Sequence, residues 1–155
     1  MTEIPKHLRK RLVPPVYLLI WAVAMKVLDT YEPVGIEIES PYTWLGLPVL
    51  LFGLALAIMA NRSFVLNETA LRPFTKSTAL VQTGVFKFTR NPMYLGMTLV
   101  LLGAGMLQGS WSALMAVPLF PVLIDWLFIR KEEELLKETF GKAYLDYRQK
   151  VRRWL

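Results

Sequence analysis

Apolar residues in this chain gather into four blocks separated by polar, charge-bearing segments. Residues 13–28 are nearly free of charge, with Lys26 close to the far end. Residues 42–60 and 93–107 carry no charge, and residues 111–129 carry only Asp125. A bilayer-spanning helix needs about 20 mostly apolar residues, within a range of ~17–25. The second and fourth blocks reach that length outright, and the first and third reach it with an extra turn at their ends. The run Leu47–Met59 has no polar side chain on any face, whereas a helix of a soluble bundle keeps a polar stripe at period 3.6. The expected fold is therefore all-α: a single polytopic membrane domain, 1–155, with four transmembrane helices at about 13–28, 42–60, 93–107 and 111–129. Segments 61–92 and 130–155 lie outside the bilayer.

The charge pattern orients the spans. Lys26 aside, every lysine and arginine lies before the first block, between the second and third, or after the fourth, while Asp29, Glu32, Glu37 and Glu39 occupy the connection on the other side. The positive-inside rule puts both termini and the central loop in the cytoplasm. Only an even number of spans keeps the basic segments on one face. The first block is accordingly read as a retained span, although a basic start, an apolar run and Ala22-Val23-Ala24 also fit a cleavable leader. On the same grounds the sequon Asn67-Glu68-Thr69 is expected to be a chance match on the cytoplasmic side.

Composition narrows the chemistry. Of the 155 residues 54% are hydrophobic and the net charge is +6. The excess positive charge suits an anionic lipid surface and requires no nucleic acid. The absence of cysteine and the single histidine, His7, exclude a disulfide framework, a thiolate or polyhistidine metal site and a Ser-His-Asp triad. No metal is expected.

The loop 61–90 is too rich in apolar residues (Leu66, Leu71, Phe74, Leu80, Val81, Val85, Phe86, Phe88) for a free linker. It is expected to fold back on the membrane surface or on the tail, with turns at Pro73 and Gly84. Asn91-Pro92 reads as a helix start, Asn91 capping and Pro92 at the first helical position. Gly141 reads as a helix end. On either side of it Leu136, Phe140, Tyr144, Tyr147 and Val151 form a stripe at steps of 3 and 4, which taken alone describes an amphipathic helix for the lipid interface. Asp125, Glu132 and Glu133, at i, i+7 and i+8, are expected along one helical face that enters the membrane. An ionisable group there normally faces a partner or a wet cavity. Arg90, at the mouth of the third span, is placed to meet these carboxylates. A guanidinium facing paired carboxylates under an apolar roof makes a pocket for a charged small molecule whose reaction partner arrives from the lipid.

Two stretches carry a family resemblance. Leu80-Val81-Gln82-Thr83-Gly84-Val85-Phe86-Lys87-Phe88-Thr89-Arg90-Asn91-Pro92-Met93-Tyr94-Leu95-Gly96 resembles the signature of the isoprenylcysteine carboxyl methyltransferase / phospholipid methyltransferase superfamily. Glu132, Glu133, Leu136, Phe140, Gly141, Tyr144, Tyr147, Val151 and Arg153 match its tail pattern. With Thr69–Ser77 the resemblance covers about 60–155. Val85 stands where proline is common, Asn91 where histidine is common, and Arg152 where a proline is expected near the end. Asn91 does not titrate near neutrality, so no histidine base operates there.

The resemblance implies a bacterial-type integral membrane methyltransferase with S-adenosyl-L-methionine as cofactor, held at the cytoplasmic face of a bacterial or archaeal cell membrane. It implies cofactor-binding roles for Val81, Gly84, Arg90, Asn91, Tyr94, Glu132, Glu133 and Tyr144, with Arg90 and Glu133 as the catalytic pair. Glu132 and Glu133 suit the diol or the cationic end of the donor, and Arg90 suits a carboxylate. Tyr94 and Tyr144 are expected to wall the adenine or support the carboxylates, and Gly84 to let the backbone approach the ligand. The implied acceptor is lipidic or membrane-partitioned, and catalysis comes from alignment and exclusion of water. Two other function classes stay open on the residues alone: an NADPH-dependent membrane reductase of related architecture, and a non-catalytic membrane scaffold.

Overall fold

The structure, a computed structural model, describes residues 13–31, 37–67 and 78–155. Every element among them is helical: α1 (Pro14–Tyr31), α2 (Tyr42–Leu66), α3 (Pro92–Gln108), α4 (Trp111–Phe140) and α5 (Lys142–Lys150), with a 3-10 turn at Gly84–Lys87 before α3. The expectations for Pro73, Leu71 and Phe74, and for the sequon beyond Asn67, lie outside the described residues.

Two of these helices, α2 and α4, are long and apolar enough to cross a membrane, and α3 is a shorter apolar helix. The helix of the second block runs six residues past Ala60 before it stops at Leu66. Large apolar side chains point outward along α1 (Leu19, Ile20, Val23), α2 (Leu51, Phe52, Ile58) and α4 (Leu119, Val122, Trp126). An apolar exterior of this extent is unsuited to water and suited to lipid.

Helices α2 and α3 run antiparallel with their backbones in contact. Gly46 faces Gly103 and Gly53 faces Gly96. A Cβ at Gly53 would lie 2.7 Å from the Gly96 carbonyl oxygen, and one at Gly103 would lie 2.5 Å from that of Gly46. Both pairs are seven residues apart, two helical turns, so each helix presents a smooth stripe on which the other rests. Gly105 lies close to the side chains of Met25 and Leu114 instead, on the side where α1 and α4 meet.

The turn from α3 to α4 takes two residues. Gly109 adopts a left-handed conformation (φ 68°) that ends α3, and the Ser110 hydroxyl accepts the Ala113 amide at 3.1 Å to start α4. The helical path of α4 is disturbed at Val117-Pro118, where the Trp21 indole donates to the Ala116 carbonyl at 3.1 Å. Met25 of α1, Met97 and Leu101 of α3, and Phe120, Ile124 and Phe128 of α4 form the main core.

One irregularity bears on function. Over Asp125–Ile129 the helix opens into a π turn, which accommodates one extra residue. At about 100° per residue in a regular α-helix, Glu132 falls in line with Asp125. The extra residue puts Glu133 there and swings Glu132 toward α3. The three carboxylates therefore do not share one face, as the spacing alone had them do.

Candidate functional site

The site lies where α3 begins, where α4 turns polar, and where the chain ends after α5. Arg90 stands at its centre. Its Nη1 donates to the carbonyls of Val151 (2.7 Å) and Arg148 (3.2 Å), and its Nη2 to Glu133 Oε1 (2.7 Å). Arg90 thus closes the C-terminal end of α5, where helix carbonyls lack intrahelical partners and favour positive charge, and neutralises a glutamate of α4. Its Nε is buried and without an acceptor.

Glu133 is doubly held. Arg153 reaches it through Nη2 (2.6 Å) and Nε (3.1 Å), while Arg153 Nη1 reaches Asp125 at 3.0 Å. Asp125 also accepts from Arg130 Nε at 2.9 Å. The carboxylate of the fourth block is therefore paired with two arginines. Burial works against a charge on Glu133, but the hydrogen bonds from Arg153 and Arg90 outweigh it and hold the carboxyl below its ordinary range.

Glu132 has a different environment. It accepts a hydrogen bond from the Tyr94 hydroxyl at 2.9 Å, and among the described residues no arginine or lysine pairs with it. It belongs to the polar stretch that follows Ile129 and is half-buried there. Burial, with the neighbouring Glu133 charge adding to it and the Tyr94 hydrogen bond opposing it, pushes the Glu132 carboxyl up to about 7.

The C-terminal segment is strapped to the start of α3 by its carbonyls. The Arg90 amide donates to Arg152 O (3.0 Å), while Thr89 Oγ1 and Asn91 Nδ2 both donate to Arg153 O (3.0 Å each). Asn91 occupies the cap position of α3 with Pro92 following, as expected, but its side chain makes no cap bond; it is spent on the tail. The amphipathic stripe is real, and it is covered by protein: Tyr144, Tyr147 and Val151 form a buried cluster with Leu80, Leu136 and Phe140, and Tyr147 Oη donates to the Phe86 carbonyl at 2.7 Å. Among the described residues of the loop, Leu80 and Phe86 meet the tail.

The structure thus brings Arg90, Asn91, Tyr94, Glu132 and Glu133 together, with Tyr144 nearby. Tyr144 is almost fully buried, its hydroxyl has no partner, and the charges of Glu133 and Arg90 act on it. Val81 lies in a separate apolar cluster with Ala60, Val85 and Phe86. Gly84 has φ 60°, the left-handed turn expected of it, with Ser63 Oγ 3.8 Å from where a Cβ would be. Sequence reasoning gave no role to Arg153 or Thr89. Arg153 was visible as part of the tail pattern, but its link to Asp125 and Glu133 depends on the π turn.

Comparison with known proteins agrees with this architecture. A family model described as phospholipid methyltransferase matches residues 41–143. The protein-S-isoprenylcysteine O-methyltransferase of Schizosaccharomyces pombe is 35% identical over 98 residues, covering 61% of this chain and 39% of that protein. The Xenopus laevis enzyme of the same name is 31% identical over 118 residues, covering 70% of this chain and 40% of the relative. A solved eukaryotic intramembrane Ras methyltransferase, isoprenylcysteine carboxyl methyltransferase, superposes with a TM-score of 0.66 at 27% identity over 91% of this chain and 52% of that one. The chain spans about two fifths of the length of these two curated methyltransferases and about half of the solved one. With the family model matching most of its length and the fold shared with a membrane methyltransferase, the chain belongs to the phospholipid methyltransferase family, within the superfamily that includes the isoprenylcysteine carboxyl methyltransferases.

Proposed function

We propose that this protein is an S-adenosylmethionine-dependent membrane methyltransferase that crosses the bilayer four times, keeps both termini and residues 61–92 in the cytoplasm, and methylates a lipidic or membrane-partitioned acceptor. The observation that carries this reading is the imbalance of polar groups at the junction of α3, α4 and the tail. Among the described residues, Glu132 is a half-buried carboxylate with no cation, and the Tyr144 hydroxyl and Arg90 Nε are buried donors with no acceptor. A ligand bearing both a cationic and an anionic group supplies what each lacks, and buried polar atoms are seldom left unpaired without such a reason. The aminoacyl end of S-adenosylmethionine has that character, so the residues present fit the cofactor.

When bound there, S-adenosylmethionine supplies an electrophilic methyl group on a sulfonium. The chain's own contribution is placement and dryness. Glu132 would accept from the cationic side, Arg90 and Tyr144 would donate to the anionic side, and the apolar faces of α3 and α4 would keep water from the acceptor. An acceptor already ionised needs no base, and Asn91 provides none. Charge is lost when an anionic acceptor takes a methyl from a sulfonium, so a low-dielectric boundary favours the transition state. The acceptor classes in the relatives' names, a prenylated cysteine carboxyl and a phospholipid headgroup, both place their reactive group at that boundary.

The test uses the full chain in detergent or nanodiscs. S-adenosylhomocysteine at 100 times its dissociation constant should stabilise the fold by about 2.7 kcal/mol, and labelled methyl from S-adenosylmethionine should enter the lipid-extractable fraction. Absence of both effects in a folded, monodisperse sample would sink the proposal.

A further inference from the structure

Adjacent in sequence, Glu132 and Glu133 occupy opposite situations. Glu133 accepts from two arginines, with contacts of 2.6, 2.7 and 3.1 Å. Its charge is spent inside the protein. Among the described residues, Glu132 accepts only from a neutral phenol, Tyr94, at 2.9 Å.

Building on the proposed function, we infer that Glu132 alone receives the cationic group of the methyl donor, that Glu133 is a positioning residue locked between Arg90 and Arg153, and that capture of the cation expels a proton from Glu132. Among the described residues, the charged and titratable groups around Glu132 are these: from α3, the Tyr94 hydroxyl; on α4, Glu133; and from the C-terminal segment, Arg153, which is turned to Glu133 and Asp125. From α1, Tyr17 lays its ring against Phe128, one helical turn before Glu132. None of these brings a free positive charge to Glu132, and its raised carboxyl is the expected result of burial without one. A cation arriving beside it favours the ionised form, and the proton leaves to solvent. The balance is simple: one proton departs from a neutral acid, and the carboxylate left behind pairs with the incoming positive charge.

Proton release distinguishes this arrangement from a site in which both glutamates share the ligand. If only ionised Glu132 binds and its carboxyl titrates at about 7, affinity rises about tenfold from pH 6 to pH 8. The neighbours set the midpoint in opposite senses. Tyr94 holds the Glu132 carboxyl down and the Glu133 charge holds it up. Tyr94→Phe therefore moves the midpoint to higher pH, and Glu133→Gln moves it to lower pH.

The experiment is calorimetric titration of S-adenosylhomocysteine into the full detergent-solubilised chain at pH 6, 7 and 8, in two buffers of different ionisation enthalpy. S-adenosylhomocysteine tests the ammonium, its sulfur being neutral, and S-adenosylmethionine measured beside it tests the sulfonium. The expected results are close to one proton released at pH 6, the tenfold rise, a flat profile with at least tenfold weaker binding at pH 8 for Glu132→Gln, and opposite midpoint shifts for Tyr94→Phe and Glu133→Gln. A rise seen with both ligands assigns the ammonium, and one seen only with S-adenosylmethionine assigns the sulfonium. Binding by the wild type that is independent of pH, or a Glu132→Gln variant that keeps the rise, overturns the inference while leaving the methyltransferase reading intact. Failure of the folded wild type to bind either ligand at any pH overturns the reading beneath it. Should Glu132→Gln fail to fold, the paired midpoint shifts decide the matter.

Discussion

Arg153→Leu removes the residue that ties the end of the chain to α4. It deletes two hydrogen bonds to Glu133 (2.6 and 3.1 Å) and one to Asp125 (3.0 Å). Losing one partner of a fully buried ion pair costs about 3–5 kcal/mol, because the other charge is stranded. Here the figure is smaller. The Arg153 side chain is 32% exposed, so part of its charge is already screened by solvent. Glu133 also keeps Arg90 and Asp125 keeps Arg130. A loss of roughly 2–3 kcal/mol follows, or about 4–12 °C in melting temperature for a chain of this size. The sign of the pH dependence is fixed by Glu133, whose carboxyl is held below 4.5. A lowered carboxyl stabilises the fold above its unfolded value and ceases to do so as pH falls through the folded one. The penalty of Arg153→Leu is thus full at pH 7 and narrows below pH 4.5. Thermal unfolding in detergent, followed by tryptophan fluorescence at pH 7.5 and pH 4, reads both quantities. A melting temperature within 2 °C of wild type at pH 7.5, or a penalty that widens in acid, would refute the assignment of Arg153 as the clasp.

Three further outcomes are expected. Gly103→Ala puts a methyl 2.5 Å from both the Gly46 carbonyl oxygen and the Leu50 amide. Because both contacts are backbone, α2 and α3 must separate, and a loss at the high end of the usual ~1–3 kcal/mol for overpacking should appear in the same melting assay. Tyr147→Phe removes a 2.7 Å hydrogen bond to the buried Phe86 carbonyl and should cost about 1–3 kcal/mol, with faster hydrogen exchange in 84–88. Glu132→Gln should stabilise the protein. The Glu132 carboxyl is raised from 4.5 to about 7, so the folded state holds a proton that the unfolded chain has released between those values, and wild-type stability falls as pH rises through that window. The variant escapes that fall and should be roughly 3 kcal/mol more stable than wild type at pH 8, with a much smaller gain near pH 4.5; equal melting temperatures at both values would contradict the environment described for Glu132.

Much of this fold was legible in residue pattern. The polar interruptions at Asp29–Pro41 and after Gln108, Pro92 at the head of α3 and Gly141 before α5 mark boundaries, because each is a local rule about backbone geometry. Pairing between helices was not. Glycines at 46 and 53 and again at 96 and 103 show a repeat of seven in two segments, but a single chain does not say that one stripe lies on the other. The tail stripe was legible as amphipathic, yet lipid and protein are both apolar partners. Only the contacts of Leu80 and Phe86 with Tyr144 and Tyr147 decide between them. The carboxylate face failed for a definite reason: helical arithmetic assumes a constant angle per residue, and the π turn at Asp125–Ile129 adds one residue where that assumption mattered most.

The π turn also accounts for why Glu132, and not Glu133, is left without an arginine among the described residues. Without the extra residue, Glu132 would lie in line with Asp125, beside Arg153, and both would be neutralised within the protein. With it, Arg153 is shared by Asp125 and Glu133, Arg90 pairs with Glu133, and Glu132 is delivered to Tyr94. A π turn forgoes regular hydrogen bonding and persists where something depends on the rotation it produces. What depends on it here is the unequal division of two carboxylates. The same logic accounts for the tail, whose hold on α3 runs mainly through the carbonyls of Arg148, Val151, Arg152 and Arg153. Carbonyls bind without adding charge, so the segment holds to α3 largely through neutral groups, and the cation of Arg153 faces Glu133 and Asp125. Under the proposed role of Glu132, any free positive charge beside it would compete with the cationic group of the cofactor.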